Sequence, residues 1–291
     1  MATVLLVGNA TLDLIYAVTA FPGEDSEVRA VHHRRAPGGN AANSARVLAL
    51  LGHRVQLATT LADDAHGRDV ARELAHAGVD LGGVRWLDGA TPTSAILLSE
   101  AAGTRTIVHH RDLDEYPIEA FAALALGTVD WLHFEGRQPE ITAAMIARAA
   151  QTRVDQPISV EIEKDRPGIE RVLAGADLVI LARAFARARG WSQPESVLRW
   201  ARGMTRARFI AVAWGAEGAV ALDDDELVQA APPAPGPIVD TNGAGDTFNA
   251  GLIDALASGR PLDLALDAAV SLATAKCRAH GFDHLANARG R

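Results

Sequence analysis

The chain has 291 residues, 48% of them hydrophobic, a net charge of −8 and one cysteine. An acidic balance argues against the basic surface that binds nucleic acid or anionic membrane without sequence or lipid selectivity, and the single Cys277 rules out an internal disulfide, which fits a reducing cytoplasm. No apolar run approaches the ~20 residues that span a bilayer, and the length suffices for one large α/β domain over residues 1–291.

Val4-Leu5-Leu6-Val7-Gly8 opens the chain as a buried-strand run rather than a leader. Asp13 follows, flanked by leucines. An unpaired carboxylate in such a stretch is costly. It either binds local backbone or accepts hydrogen bonds from a polar ligand such as two vicinal hydroxyls. Residues 24–36 are polar, with Val28 and Val31 interspersed, and read as an exposed strand. Residues 93–110 read as a β-hairpin around Ala101-Ala102-Gly103. Together these segments predict a small sheet projecting from the main body. Its open edges and apolar face want a partner, most simply a second copy of the chain.

Gly38-Gly39 lead into a helix running to about Leu51 and stopped by Gly52. Asn40 and Asn43 share one face of its first turn. Amides donate and accept, which suits a neutral polyol, although Asn40 alone also reads as a helix cap. From Val55 the pattern alternates. Strands are expected at Val55–Thr60, Gly83–Leu87, Val129–Phe134, Ile158–Ile162, Leu178–Leu181 and Arg208–Ala213, with helices between, including 67–77 and 141–150. Unbroken apolar strands alternating with helices predict a three-layer α/β/α fold around a mostly parallel sheet. Ligands in such folds sit at the carboxyl ends of the strands. Glu135-Gly136-Arg137, Glu161-Ile162-Glu163-Lys164, Trp214-Gly215-Ala216-Glu217-Gly218 and Asp240 are expected there.

Ile238 to Gly251 reads as a strand end, a small-residue turn and a helix from about Ala244 to Ser258. The turn Gly243-Ala244-Gly245 lets backbone N–H groups approach a ligand closely. With the unpaired N–H groups and dipole of the helix start, it suits an anion such as phosphate. Asp246 in the first turn is either an acid favoured at a helix start or a general base beside developing negative charge. The pairs His32-His33 and His109-His110 lie on strands, where neighbours point to opposite faces, so neither reads as a metal site.

Gly38-Gly39-Asn40-Ala41-Ala42-Asn43 and Asp240-Thr241-Asn242-Gly243-Ala244-Gly245-Asp246-Thr247-Phe248, about 200 residues apart, together resemble the two signatures of the ribokinase (PfkB) family of carbohydrate kinases. Residues 23–29, 104–108, 131–137 and 160–164, and Lys276-Cys277 with Gly281-Phe282-Asp283, resemble its ketose-phosphorylating branch. The resemblance implies a β lid often used to form a homodimer. It also implies transfer of the ATP γ-phosphoryl group to a sugar hydroxyl, fructose to fructose 1-phosphate in that branch. It makes Asp246 the base and Gly243, Ala244 and Gly245 the anion hole. Asp13, Gly39, Asn40, Asn43 and Arg137 fall on the sugar, and Arg105 and Lys164 on phosphates. Trp214, Gly215, Glu217 and Gly218, with Pro232-Pro233, fall around the nucleotide, and Asp25 becomes a lid residue reaching a neighbouring subunit. ATP, Mg²⁺ and a monovalent cation such as K⁺ are the implied cofactors.

Two departures stand out. The family's Asn-x-x-Glu motif, which organises magnesium, is replaced by Ala182-Arg183-Ala184-Phe185. That leaves the metal to ATP oxygens and water, which Mg²⁺ tolerates. Gly215-Ala216 removes a charged contact expected beside adenine. Another sugar or nucleoside kinase of the same fold, and a non-catalytic sugar sensor, stay open. A dinucleotide-dependent oxidoreductase does not, because Gly8-Asn9-Ala10-Thr11-Leu12 lacks the glycine fingerprint after the first strand.

Overall fold

The computed structural model describes residues 1–152, 155–234 and 236–290. The chain begins with β1 (Thr3–Val7), β2 (Thr11–Val18), β3 (His32–Gly38), α1 (Asn40–Leu50), β4 (Arg54–Ala58), β5 (Thr60–Ala62) and α2 (Ala65–His76). It continues with β6 (Val79–Asp80), β7 (Arg85–Leu87), β8 (Thr93–Ser99), β9 (Thr104–His110), α3 (Ile118–Ala122), β10 (Trp131–Glu135), α4 (Pro139–Thr152) and β11 (Ile158–Ile162). The last part holds β12 (Leu178–Ala182), α5 (Arg183–Ala188), α6 (Pro194–Met204), β13 (Phe209–Ala213), β14 (Ala219–Asp223), β15 (Glu226–Ala230), α7 (Ala244–Ala257) and α8 (Leu262–Lys276).

A nine-stranded sheet runs in the order β15-β14-β13-β12-β11-β10-β1-β4-β6. Strands β13 to β6 are parallel, and β14 and β15 add an antiparallel edge. Successive side chains of a strand point to opposite faces, so β1 feeds two cores. Val4 and Leu6 join a core with Leu48 of α1, Leu252 of α7 and Leu266 of α8. Leu5 and Val7 join another with Met145 of α4 and Leu198 of α6. The result is the expected three-layer arrangement. α7 and α8 lie close because Gly251 has no side chain: a Cβ there would stand 3.0 Å from the Ala269 backbone.

The second sheet has four strands, in the order β3-β2-β8-β9. The hairpin β8–β9 forms where expected, but the rest of this lid differs from the sequence reading. Its strand in the 24–36 region begins only at His32, because residues 24–28 are consecutive turn and loop with Asp25 at φ 54° and the Ser26 hydroxyl donating to the Gly23 carbonyl. The central strand is β2, which pairs antiparallel with β3 and parallel with β8. Its unbroken Thr-Leu-Asp-Leu-Ile-Tyr-Ala-Val looks like core and gives no sign that it leaves the main sheet. Ile238 and Val239 are not a strand end either. They are exposed, and the amides of Val239 and Asp240 both donate to one carbonyl, that of Cys277.

Candidate active site

Two helix starts face each other at the carboxyl ends of the strands. α1 is preceded by Gly39 at φ 95° and α7 by Gly243 at φ 80°, the left-handed region that glycine tolerates. Asn43, on α1, donates from Nδ2 to Oδ2 of Asp246, on α7, at 2.7 Å. The Ser44 hydroxyl donates to the Asp246 carbonyl at 3.1 Å. These contacts join residues more than 200 apart in sequence. Burial pushes Asp246 up, to about 8, against the Asn43 hydrogen bond; Glu163, Glu135 and Asp13 push the same way. No backbone donor binds the Asp246 side chain among the described contacts, so it is not a capping acid.

The anion-binding expectation has a geometric basis. The Ala244 amide donates to the Thr241 carbonyl at 3.3 Å and that of Thr247 to the Gly243 carbonyl at 2.9 Å. The amides of Gly245 and Asp246 have no protein acceptor among the described residues. A Cβ built on Gly245 would meet nothing within 4 Å, whereas one on Gly243 would stand 2.6 Å from Cζ of Phe282. The turn is backed firmly on one side and open on the other.

Each expected sugar contact lies at this end of the sheet, but several are already engaged. Asp13 is buried and accepts from the Thr11 hydroxyl at 3.0 Å. Burial raises its pKa despite hydrogen bonds to Thr11, Ser94 and Asn242. Asn242 thereby links Asp13 to the glycine turn. A Cβ on Gly38 would stand 2.2 Å from the Asp13 carboxylate. Asn40 donates to Glu161 Oε1 at 2.9 Å and to Glu163 Oε2 at 3.3 Å. The other Glu161 oxygen is enclosed and has no partner, and burial together with Asp246 and Glu135 raises that acid well above the usual range. Glu135 accepts from the amides of Asn9 (2.8 Å) and Ala41 (3.4 Å). Arg137 is partly engaged by protein carboxylates: its Nε donates to Glu115 at 2.7 Å and its Nη1 lies 3.5 Å from Glu135.

Of the two phosphate candidates, Arg105 of β9 reaches across from the lid and donates to the Thr241 hydroxyl at 2.8 Å. Lys164 is mostly exposed, with Glu163 3.9 Å away. On the nucleotide side, Trp214 is buried in the core and its ring lies under Arg183, 5.0 Å away. Arg183 also donates to the Trp214 carbonyl (3.1 Å) and pairs with Glu217 (2.9 Å). Gly215 and Gly218 both take positive φ, and a Cβ on Gly218 would stand 2.1 Å from the Ala230 carbonyl oxygen. Arg183 thus occupies the place of the missing motif and shapes the 214–218 loop. Among the described residues no group of three or more His, Cys, Asp or Glu is arranged to hold a metal ion.

Sequence reasoning missed the polar groups that support these elements. Lys276 ends α8 fully buried, with Nζ on the carbonyl and carboxylate of Asp240. Arg34 of β3 donates to the same carboxylate at 2.9 Å. Arg111, just beyond β9, donates to Asn9 and to the Leu113 and Asp114 carbonyls. A lysine as the one basic residue of an alanine-rich helix is the signal that could have flagged the first of these.

A model of the pfkB family carbohydrate kinases matches residues 1–288. Ketohexokinase of Mus musculus is 33% identical over 96% of this chain and 97% of its own length. ATP-dependent ribose-1-phosphate kinase of Halopiger xanaduensis is 30% identical over 87% and 84%. Ribokinase of Arabidopsis thaliana, solved with ribose and ATP, shares the fold with a TM-score of 0.76 at 19% identity, covering 97% of this chain and 95% of that one. With a lid, a parallel sheet and a glycine turn at the start of a helix bearing a buried aspartate, the chain belongs to the pfkB family of carbohydrate kinases, which transfer a phosphoryl group to a sugar hydroxyl.

Proposed function

We propose that this chain is an ATP-dependent kinase of an unphosphorylated ketose, with fructose to fructose 1-phosphate as the leading reaction. The observation that carries the reading is the cluster of carboxyl groups on the sugar side. Asp13, Glu135, Glu161, Glu163 and Asp246 lie within each other's field, while Arg34 and Arg137 beside them are already ion-paired. A second phosphate on the sugar would bring negative charge into a cluster where burial already disfavours ionised carboxylates. Neutral hydroxyls would find acceptors there and amides on α1. The 33% identity to ketohexokinase over nearly the whole chain supports a ketose over an aldose.

In this reading Asp246 takes the proton of the attacking hydroxyl as that oxygen bonds to the γ-phosphorus and the bridging β–γ oxygen departs with ADP. A carboxylate raised toward neutral pH is well matched to such a transfer. The free amides of Gly245 and Asp246 receive the charge of the transferring group, and Arg105 and Lys164 add positive charge. Gly39, Asn40 and Asp13 orient the sugar, and Trp214, Gly215, Glu217 and Gly218 border the nucleotide. Magnesium would be held by ATP phosphates and water, and would supply charge neutralisation for the transfer. The lid suits a homodimer: every residue of β9 is exposed at an open edge, with Val28, Val31, Ile107 and Val108 among the exposed apolar residues.

The test is ATP-coupled turnover with fructose, ribose, ribose 1-phosphate and fructose 1-phosphate, the new phosphate being located by NMR. Fructose should give the highest kcat/KM and the 1-phosphate. Preference for either phosphorylated sugar, or ATP-independent binding without turnover, would overturn the proposal.

A further inference from the structure

We infer that Lys276 is a positioning residue whose buried ammonium clamps Asp240 and thereby holds the glycine turn in its anion-binding shape. The inference rests on the kinase reading for its catalytic consequence, and on geometry alone for the positioning.

A lysine with a fully buried side chain is rare unless it is paired, because its charge is expensive to take out of water. Lys276 is the last residue of α8, where a cation usually serves the helix's own terminal carbonyls. Here Nζ instead leaves the helix and binds the Asp240 carbonyl at 2.9 Å and the Asp240 Oδ2 at 3.0 Å. Asp240 is equally enclosed, its side chain 1% exposed. Its other oxygen accepts from the Asn242 amide at 2.9 Å, which fixes the chain two residues further toward the turn. Lys276 Nζ also lies 5.7 Å from the centre of the Phe282 ring, and that ring is what stands behind Gly243. The Cys277 carbonyl next door accepts from the amides of Val239 and Asp240.

The end of α8 therefore grips the segment before the anion site through main chain, side chain and ring. A buried ion pair adds little stability over well-packed apolar residues of similar size, so fold stability alone gives no reason for this one. What an apolar pair could not do is fix a backbone carbonyl and a carboxylate at once. Arg34 and Arg105 extend the grip to the lid: one donates to Asp240, the other to Thr241. The lid strands β3 and β9 are thus tied to Asp240, which Lys276 holds, and to Thr241 directly after it.

The test is Lys276→Met, which keeps the bulk and removes the charge, in the full chain. Hydrogen exchange at the two bonded amides of the segment, Asn242 and Ala244, should speed by about tenfold or more while the middle of α8 is unchanged. Turnover should fall by ~30-fold with the sugar KM within about threefold. Leu266→Ala, a cavity in the same helix, controls for general loosening and should leave exchange at Asn242 and Ala244 at the wild-type rate. Wild-type exchange at these two amides in Lys276→Met would overturn the proposal, as would exchange accelerated equally by Leu266→Ala. Should Lys276→Met not fold, the double variant Asp240→Asn/Lys276→Met removes both charges; it should fold and still exchange faster at these two amides, and slow exchange there would overturn the proposal. Absence of wild-type turnover with any sugar would refute the kinase reading, and the exchange result would still decide the positioning.

Discussion

The starts of α1 and α7 differ in how their backbone donors are satisfied. Both follow a glycine of positive φ, and neither has a side-chain cap. At α1 the protein satisfies its own donors: the Ala41 amide points to Glu135, that of Ala42 donates to the Asn9 carbonyl at 3.2 Å, and that of Asn43 to the Gly39 carbonyl at 2.8 Å. The positive end of α1 already holds an internal anion, the Glu135 carboxylate. At α7 the second and third amides are left open, beside a glycine with free space around it. One helix start is closed by the protein's own carboxylate and carries amide side chains, and in the proposed function it faces the sugar. The other is open, and in the proposed function it receives the phosphoryl group.

The largest effect should come from Asp246→Asn, which keeps the shape of α7 and removes the proposed base. We expect kcat to fall by ~10³ or more with sugar binding retained, measured by turnover and calorimetry; a loss within about tenfold, or ~1.4 kcal/mol of barrier, would deny the role. Next, adding one methyl group to each helix start should give opposite results. Gly39→Ala forces a Cβ to 2.4 Å from the Asn9 carbonyl oxygen at φ 95°, and thermal unfolding should show a loss of about 2–4 kcal/mol. Gly245→Ala meets open space. Its Tm should match the wild type, while KM for ATP rises ~10-fold because the methyl group occupies room meant for phosphate.

A smaller effect couples the two helices. Asn43 lowers the Asp246 pKa against burial, so Asn43→Ala should move the acid limb of the kcat/KM–pH profile to higher pH, toward later ionisation of the base. A limb that stays or moves down would place the base elsewhere. The smallest concerns Glu161, whose folded-state pKa lies well above its unfolded value. Such a group binds more protons in the folded state, so stability is lost as pH rises through its folded pKa. Glu161→Gln should raise Tm more at pH 8 than at pH 5, and a uniform change would contradict the enclosed, unpartnered oxygen.

The sequence exposed most of the main sheet, because β12 and β13 are unbroken apolar runs of the right length and β1, β10 and β11 are mostly apolar. It also exposed both glycine turns, since positive φ demands glycine and leaves a visible mark. What it could not show is which polar groups meet. Asn43 and Asp246 come together only because α1 and α7 pack side by side, and nothing in the sequence shows that Glu115 and Glu135 pair with Arg137. β2 was hidden for a related reason: burial against β3 and β8 in the lid selects the same apolar residues as burial in the main sheet. Lys276 and Asp240 were legible as unusual residues but not as a pair, being 36 apart in sequence.

The most direct test of the closed and open helix starts is amide NMR of the protein titrated with fructose and a non-hydrolysable ATP analogue. Large shifts of the Gly245 and Asp246 N–H signals, with those of Ala41 and Ala42 nearly still when the nucleotide is added, are the predicted result. Shifts centred on Ala41 and Ala42, with Gly245 and Asp246 unmoved, would contradict it.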